Sequence, residues 1–219
     1  MRIYRNNGLS IVLALASITT IIGMFLTGWN VYSEELAKHG SQTVALSTYA
    51  TSGHFFSALF ENLESEFLQM SAYVVLTAYL FQRGSAESKD PDDRAAQDED
   101  PAAKSEDRRA PLPVRLGGMA RQFYSYSLGL ALAALFLLSF LLHLRYSAEA
   151  ENVEALTHSQ PVQSIWEHVA SAQFWFESFQ NWQSEFLSTG VIVVLSIFLR
   201  YKGSPESKPV AAPRSETGS

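Results

Sequence analysis

Cysteine is absent from all 219 residues. That excludes disulfides, thiol nucleophiles and cysteine-ligated zinc or iron–sulfur centres. A phosphate-binding glycine loop, a nucleophile elbow and a basic patch interleaved with aromatics are also missing. No motif for phosphoryl transfer, serine hydrolysis or nucleic-acid binding is left. The chain is therefore expected to be neither an enzyme nor a nucleic-acid binder, and no cofactor is expected. Charge is missing in a more informative way. Residues 9–26 carry none in 18 positions and residues 123–142 none in 20.

What is present fits those gaps. Net charge is −6 and mean hydropathy is close to zero, but the averages conceal a partition between charged and apolar stretches. A helix rises about 1.5 Å per residue, so about 20 apolar residues cross about 30 Å of hydrocarbon. Residues 9–29 and 123–144 meet that requirement. Two shorter apolar runs, 67–81 and 186–199, fall below it, yet each follows an amphipathic stretch that extends the helix upstream. The expectation is four spans. Arg2 and Arg5 before the first run resemble the charged start of a signal peptide. The run is longer than such a core and ends in Thr27-Gly28-Trp29, so it is read as a retained span.

The chain also repeats itself. Residues 55–89 align with 174–208 at an offset of 119 without a gap, and 16 of 35 positions are identical. Phe174-Trp-Phe-Glu-Ser-Phe-Gln-Asn-Trp-Gln-Ser-Glu-Phe-Leu187 is the second copy of residues 55–68. Gly203-Ser-Pro-Glu-Ser-Lys208 is the second copy of Gly84-Ser-Ala-Glu-Ser-Lys89. The first apolar stretch falls opposite the third. A two-span unit, duplicated, enters the bilayer twice in the same orientation and gives a parallel repeat. The expected fold is an all-α membrane protein: two tandem helical hairpins in a parallel pseudo-two-fold arrangement, with short helical outer caps at 32–39 and 150–158.

Charge orients the spans. With termini and middle inside, 14 of the 16 lysines and arginines lie inside, leaving only Lys38 and Arg145 outside, as the positive-inside rule requires. Both termini are expected in the cytoplasm. The expected division is a first two-span repeat at 1–89, a disordered acidic linker at 90–122, a second repeat at 123–208 and a disordered tail at 209–219. The linker is too poor in large apolar residues to offset the entropy of ordering. Gly84 and Gly203, each after a cation, have the pattern of helix C-caps.

Candidate sites lie in the outer segments. Asn62 and Glu66 are four apart, as are Asn181 and Glu185, so each pair shares a helical face. They read either as a doubled polar site at an outer mouth or as groups marking the end of the lipid core. Glu61 and Glu64 become Gln180 and Gln183 in the second copy, which counts against a symmetric acidic metal site. Phe56, Phe60, Leu63 and Phe67 form an apolar stripe, matched by Trp175, Phe179, Trp182 and Phe186. The stripe is either packing surface or an aromatic groove for an apolar ligand. Helices are expected to start after Ser52 and Ser171 as N-caps. His39 and His158 are equivalent by repeat and are the candidates for a metal, but no metal-binding histidine spacing occurs.

These segments, together with Asn7-Gly8-Leu9, Gly28-Trp29, Tyr32, Glu35, His39-Gly40 and Ser52-Gly53-His54-Phe55, resemble a bacterial integral membrane family classed as a domain of unknown function. The resemblance implies a bacterial cell-membrane protein and nothing about activity. The second copy departs at Ser147-Ala148, where the first has Gly28-Trp29. The expected function is a structural or interaction component of the cell envelope. The alternative is a small transporter or channel subunit with a polar site at the outer mouth. Expected partners are the lipid bilayer and either further copies of the chain or another membrane protein.

Overall fold

The computed structural model describes residues 2–38, 40 and 42–218, with side chains from Arg5 onward. Among them every regular element is helical. The eight α-helices are α1 (Arg2–Lys38), α2 (Leu46–Tyr49), α3 (Gly53–Tyr79), α4 (Leu112–Leu116), α5 (Gly118–Ser125), α6 (Ser127–Thr157), α7 (Ile165–Val169) and α8 (Ala172–Phe198). The chain is an all-α protein.

Element bounds recur at the 119-residue offset. α3 and α8 both hold 27 residues and start and end 119 positions apart. α1 ends at Lys38 and α6 at Thr157. The one non-helical residue inside α1 is Asn7 (φ −130°, ψ 18°), and its counterpart Tyr126 (φ −114°, ψ 10°) separates α5 from α6. Gly40 and Ser159, also equivalent, both take positive φ. Gln160 N donates to Ala155 O at 2.7 Å across that turn, a six-residue closure that satisfies a terminal carbonyl of α6.

Local chemistry corrects two expectations, the separate outer helices and the glycine caps, and a coarser statement holds for the spans. Among the described residues two helices, not four, are by length and composition alone long and apolar enough to cross a membrane: Arg5–Lys38 and Ser127–Thr157. The other two runs are the C-terminal halves of α3 and α8, whose N-terminal halves carry Glu61, Glu64 and Glu66, or Glu177 and Glu185. The outer helices expected at 32–39 and 150–158 are continuations of α1 and α6. Neither proline nor glycine follows Trp29 or Leu144 until those helices end, so polarity changes without a break. Gly84 and Gly203 do have positive φ, 82° and 88°, but α3 and α8 end five residues earlier, at Tyr79 and Phe198. Instead the segment after each helix folds back. Ser88 Oγ accepts from Gln82 N and Ser207 Oγ accepts from Tyr201 N, both at 2.9 Å.

Ser52 and Ser171 act as the expected caps: their hydroxyls accept from Phe55 N and Phe174 N, each at 3.2 Å. Ser164 and Glu167 form a reciprocal capping box on α7.

The chain forms two compact units, Met1–Phe60 with Leu142–Phe174, and Glu61–Leu141 with Trp175–Ser219. In the first, Tyr49 and Phe174 are the fully buried aromatics. Phe25, Tyr32 and Phe55 ring Tyr49 at 5.5–5.8 Å, and Trp29 Nε1 donates to Val44 O at 2.8 Å. In the second unit, α3 and α8 lie side by side and parallel, and the acidic segment and tail belong to the same unit. Residues 90–122 hold 3-10 turns at Ala96–Asp98 and Pro101–Lys104, then α4 and α5. Asp90, Asp100 and Asp107 each accept from an amide two residues on, at 2.8–2.9 Å. In the tail, buried Lys208 donates to the carbonyls of Pro213, Arg214 and Glu216 at 3.4, 3.1 and 2.7 Å.

Candidate functional site

The seam between α3 and α8 is polar along much of its length. Glu61, Ser65, Gln69 and Tyr73 recur every four residues on α3, and such residues share one face. Opposite them, Asn181 and Thr189 on α8 are eight apart on one face. Asn181 Nδ2 donates to Glu61 Oε1. Trp182 Nε1 donates to Glu64 Oε1 at 2.8 Å. Gln69 Nε2 donates to Thr189 Oγ1 at 2.5 Å. These partners are about 120 residues apart on the two helices, as expected for equivalent positions facing one another. Toward the C-terminal end of α3, Tyr73 Oη donates to Glu87 Oε2 at 2.8 Å.

Glu64 is the centre of the seam: its exposure is 0%, and neighbouring Ser65 is buried with it. An isolated carboxylate at such a place is costly. The indole donor from Trp182 offsets part of that cost. Three atoms in this unit are buried without a hydrogen-bond partner, Ser178 Oγ, Glu87 Oε1 and Arg200 Nε. Near the C-terminal end of α3 lies a cavity of about 810 Å³, lined by Tyr73, Thr77, Glu87 and residues of the acidic segment and tail.

Asn62 and Glu66 are exposed, and Asn181 and Glu185 are half-buried. Asn181 engages Glu61, one residue from its repeat equivalent, rather than Glu185. Glu64, the buried acid, was missed as a site residue. Its substitution by Gln183 in the second copy was the available signal: one carboxylate per molecule suits a single buried position.

Each aromatic stripe makes ring contacts, although Phe179 is 56% exposed. Phe56 and Phe60 stack on Tyr146 of α6, with ring centres 4.7 and 5.9 Å away. Trp175, Phe179 and Trp182 contact one another at 5.4–6.2 Å. Phe140 meets Trp175 at 6.2 Å and Phe136 meets Trp182 at 6.3 Å. Phe67 is half-buried, while Phe186 is exposed.

The first unit holds a second polar cluster. Ser147 Oγ is hydrogen-bonded to His168 Nε2, and His168 Nδ1 faces Glu151 Oε2 at 3.1 Å. His168 is 1% exposed. The order of groups is that of an acyl-transfer triad, but Ser147 lies within α6, where the amides are bonded along the helix. No pair of donors is left there for an oxyanion. The equivalent residues of the first copy are Gly28, Tyr49 and Tyr32. A Cβ on Gly28 would come 2.3 Å from Tyr49 Oη, so the glycine makes room for the larger phenol where serine meets imidazole. His54 sits beside this pair, 3.4 Å from Tyr49 Oη. Burial pushes its imidazole down, against the upward pull of Glu35 and Glu154.

His158 is exposed on the turn that ends α6, with its ring against Glu154 O at 3.0 Å. His39 lies outside the described residues. No group of three or more potential metal ligands occurs among the described residues.

No curated protein and no solved structure matches the chain. Over residues 1–219 it matches the family described as Domain of unknown function (DUF6766), and the chain belongs to that family.

Proposed function

We propose that the chain is a multi-pass protein of the bacterial inner membrane, crossing four times with both termini in the cytoplasm, and that it acts as a structural or interaction component of the envelope. One observation carries this reading: the apolar side chains of α1 and of the inner part of α6 point away from their units. Leu9 is 75% exposed and Leu128 62%. Leaving a leucine or isoleucine in water forgoes about 1.5–3 kcal/mol each, and a run of them is tolerable only in lipid. α3 and α8, about 40 Å long at 27 residues each, complete two hairpins with α1 and α6. In this reading their mutual seam shelters Glu64 from the hydrocarbon.

The test is alkaline carbonate extraction of membranes containing the chain, followed by gentle solubilisation and mass analysis. Retention in the pellet and a stoichiometric envelope protein in the solubilised particle support the reading. Release into the soluble fraction overturns it. A second reading, a small transporter or channel subunit, is favoured by the buried Glu64 and the polar α3–α8 seam, since intramembrane ionisable groups commonly mark ion pathways.

A further inference from the structure

We propose that the α3–α8 seam is a proton pathway, running from Glu61 and Glu64 through Gln69 and Thr189 to Tyr73, Glu87 and the inner cavity. This rests on the membrane reading and gives the second function a specific cargo. The four polar positions of α3 from Glu61 to Tyr73 cover about 18 Å along the helix. That is more than half of a hydrocarbon core of about 30 Å. The contacts across the seam are side chain to side chain at 2.5–2.8 Å, which leaves no bore for a hydrated metal ion. A proton needs only a chain of hydrogen bonds.

Two observations point to water within that chain. Ser178 Oγ is buried with no partner, on the same face of α8 as Trp182, four residues on. Glu87 Oε1 is likewise buried and unpartnered, while its other oxygen is fixed by Tyr73. Buried polar atoms of this kind are ordinarily satisfied by internal water. At the inner end the cavity of about 810 Å³ begins at these same residues, Tyr73 and Glu87. The pathway therefore opens into a space large enough for bulk-like water.

The steps balance without any co-reactant. Glu64 carboxylate takes a proton from the outer side, forming one O–H bond as the donor's breaks. It then passes a proton to an adjacent water, and each further hop breaks one O–H bond as it makes the next. The carboxylate is restored when the proton reaches Glu87 and the cavity. Glu64 is the only fully buried carboxylate among the described residues, so it is the obligatory stop.

The experiment uses the purified full chain in liposomes holding a pH-sensitive dye, with a potassium diffusion potential as the driving force. Flotation establishes insertion first. The expected result is voltage-driven proton entry several-fold above empty vesicles. Glu64→Gln keeps an acceptor for Trp182 and should lower entry at least tenfold while still floating. Gln69→Leu, a second interruption of the chain, should do the same. Glu106→Gln, in the exposed acidic segment, should conduct as wild type. Inserted wild-type protein no more conductive than empty vesicles overturns the pathway, as does wild-type flux in Glu64→Gln. Protein that fails to float overturns the membrane reading and the pathway with it.

Discussion

Gly28 and Tyr49 in the first copy occupy the places of Ser147 and His168 in the second, and each pair has one small member. Gly28→Ala would set a methyl against Tyr49 Oη at 2.3 Å. Tyr49 is only 2% exposed and has nowhere to turn. The expected loss is about 1–3 kcal/mol, the usual cost of overpacking, read as a lower thermal midpoint in detergent. Gly23→Ala, with nothing within 4 Å, should cost nothing and gain up to about 1 kcal/mol from helix propensity. Equal midpoints for the two variants would contradict the placement of Tyr49. His54 makes a pH prediction. Its folded form holds a proton less readily than the ordinary value of 6.5, so below that value the unfolded chain binds more protons. Its contribution to stability is then fully present above about pH 6.5 and falls as the pH drops through the lowered folded value. His54→Gln, which imports the side chain found at Gln173, should flatten that dependence in a thermal-unfolding series; an unchanged slope would count against it. At this scale the sequence displayed the oddity, a Gly-Trp pair missing from one copy, but not its cause. Ser147 and His168 are 21 residues apart, and no spacing rule joins them.

Helix α3 and helix α8 are held together by hydrogen bonds between near-equivalent residues, and those bonds can be weighed. Trp182→Phe keeps a ring against Phe136 but removes the donor to Glu64. Leaving a buried acceptor short of a partner costs about 1–3 kcal/mol. Adding Glu64→Leu to Trp182→Phe should cost less than the sum of the two single changes, by about 0.5 kcal/mol or more, because the second change removes the group that the first left unsatisfied. A denaturant double-mutant cycle measures this, and strict additivity would show that the two side chains do not interact. The starts of α3 and α8 were legible from Ser52 and Ser171, whose hydroxyls do cap. The single length of α1 and α6 was not legible. Glu34, Glu35, Glu149 and Glu151 end an apolar run, and a polar turn on a continuous helix looks like a boundary when only hydropathy is read. The seam was half legible. Periodicity found the aromatic face, but the polar face at 61, 65, 69 and 73 mixes glutamate, serine, glutamine and tyrosine, and it makes no pattern until both helices are side by side.

Across the whole molecule the offset of 119 residues is the strongest regularity, visible in identical residues, in helix ends and in positive-φ turns alike. Among the described residues, composition and length alone mark only α1 and α6 as long apolar helices. The four-span proposal and a two-span arrangement built from those two helices differ in where the connections lie. If only α1 and α6 cross, residues 40–122 are outside and the segment after Thr157 is inside. If all four cross, the acidic segment is inside and the turns near Gln42 and Gln160 are outside. The absence of cysteine makes the distinction clean, since any introduced thiol is the only one in the chain. The decisive measurement is labelling of single-cysteine variants in intact cells with a maleimide that cannot cross the inner membrane. Gln42→Cys and Gln160→Cys should label from outside, whereas Gln97→Cys should label only after the membrane is opened. Labelling of Gln97→Cys in intact cells, with Gln160→Cys protected, would contradict the four-span account and leave two spans in its place.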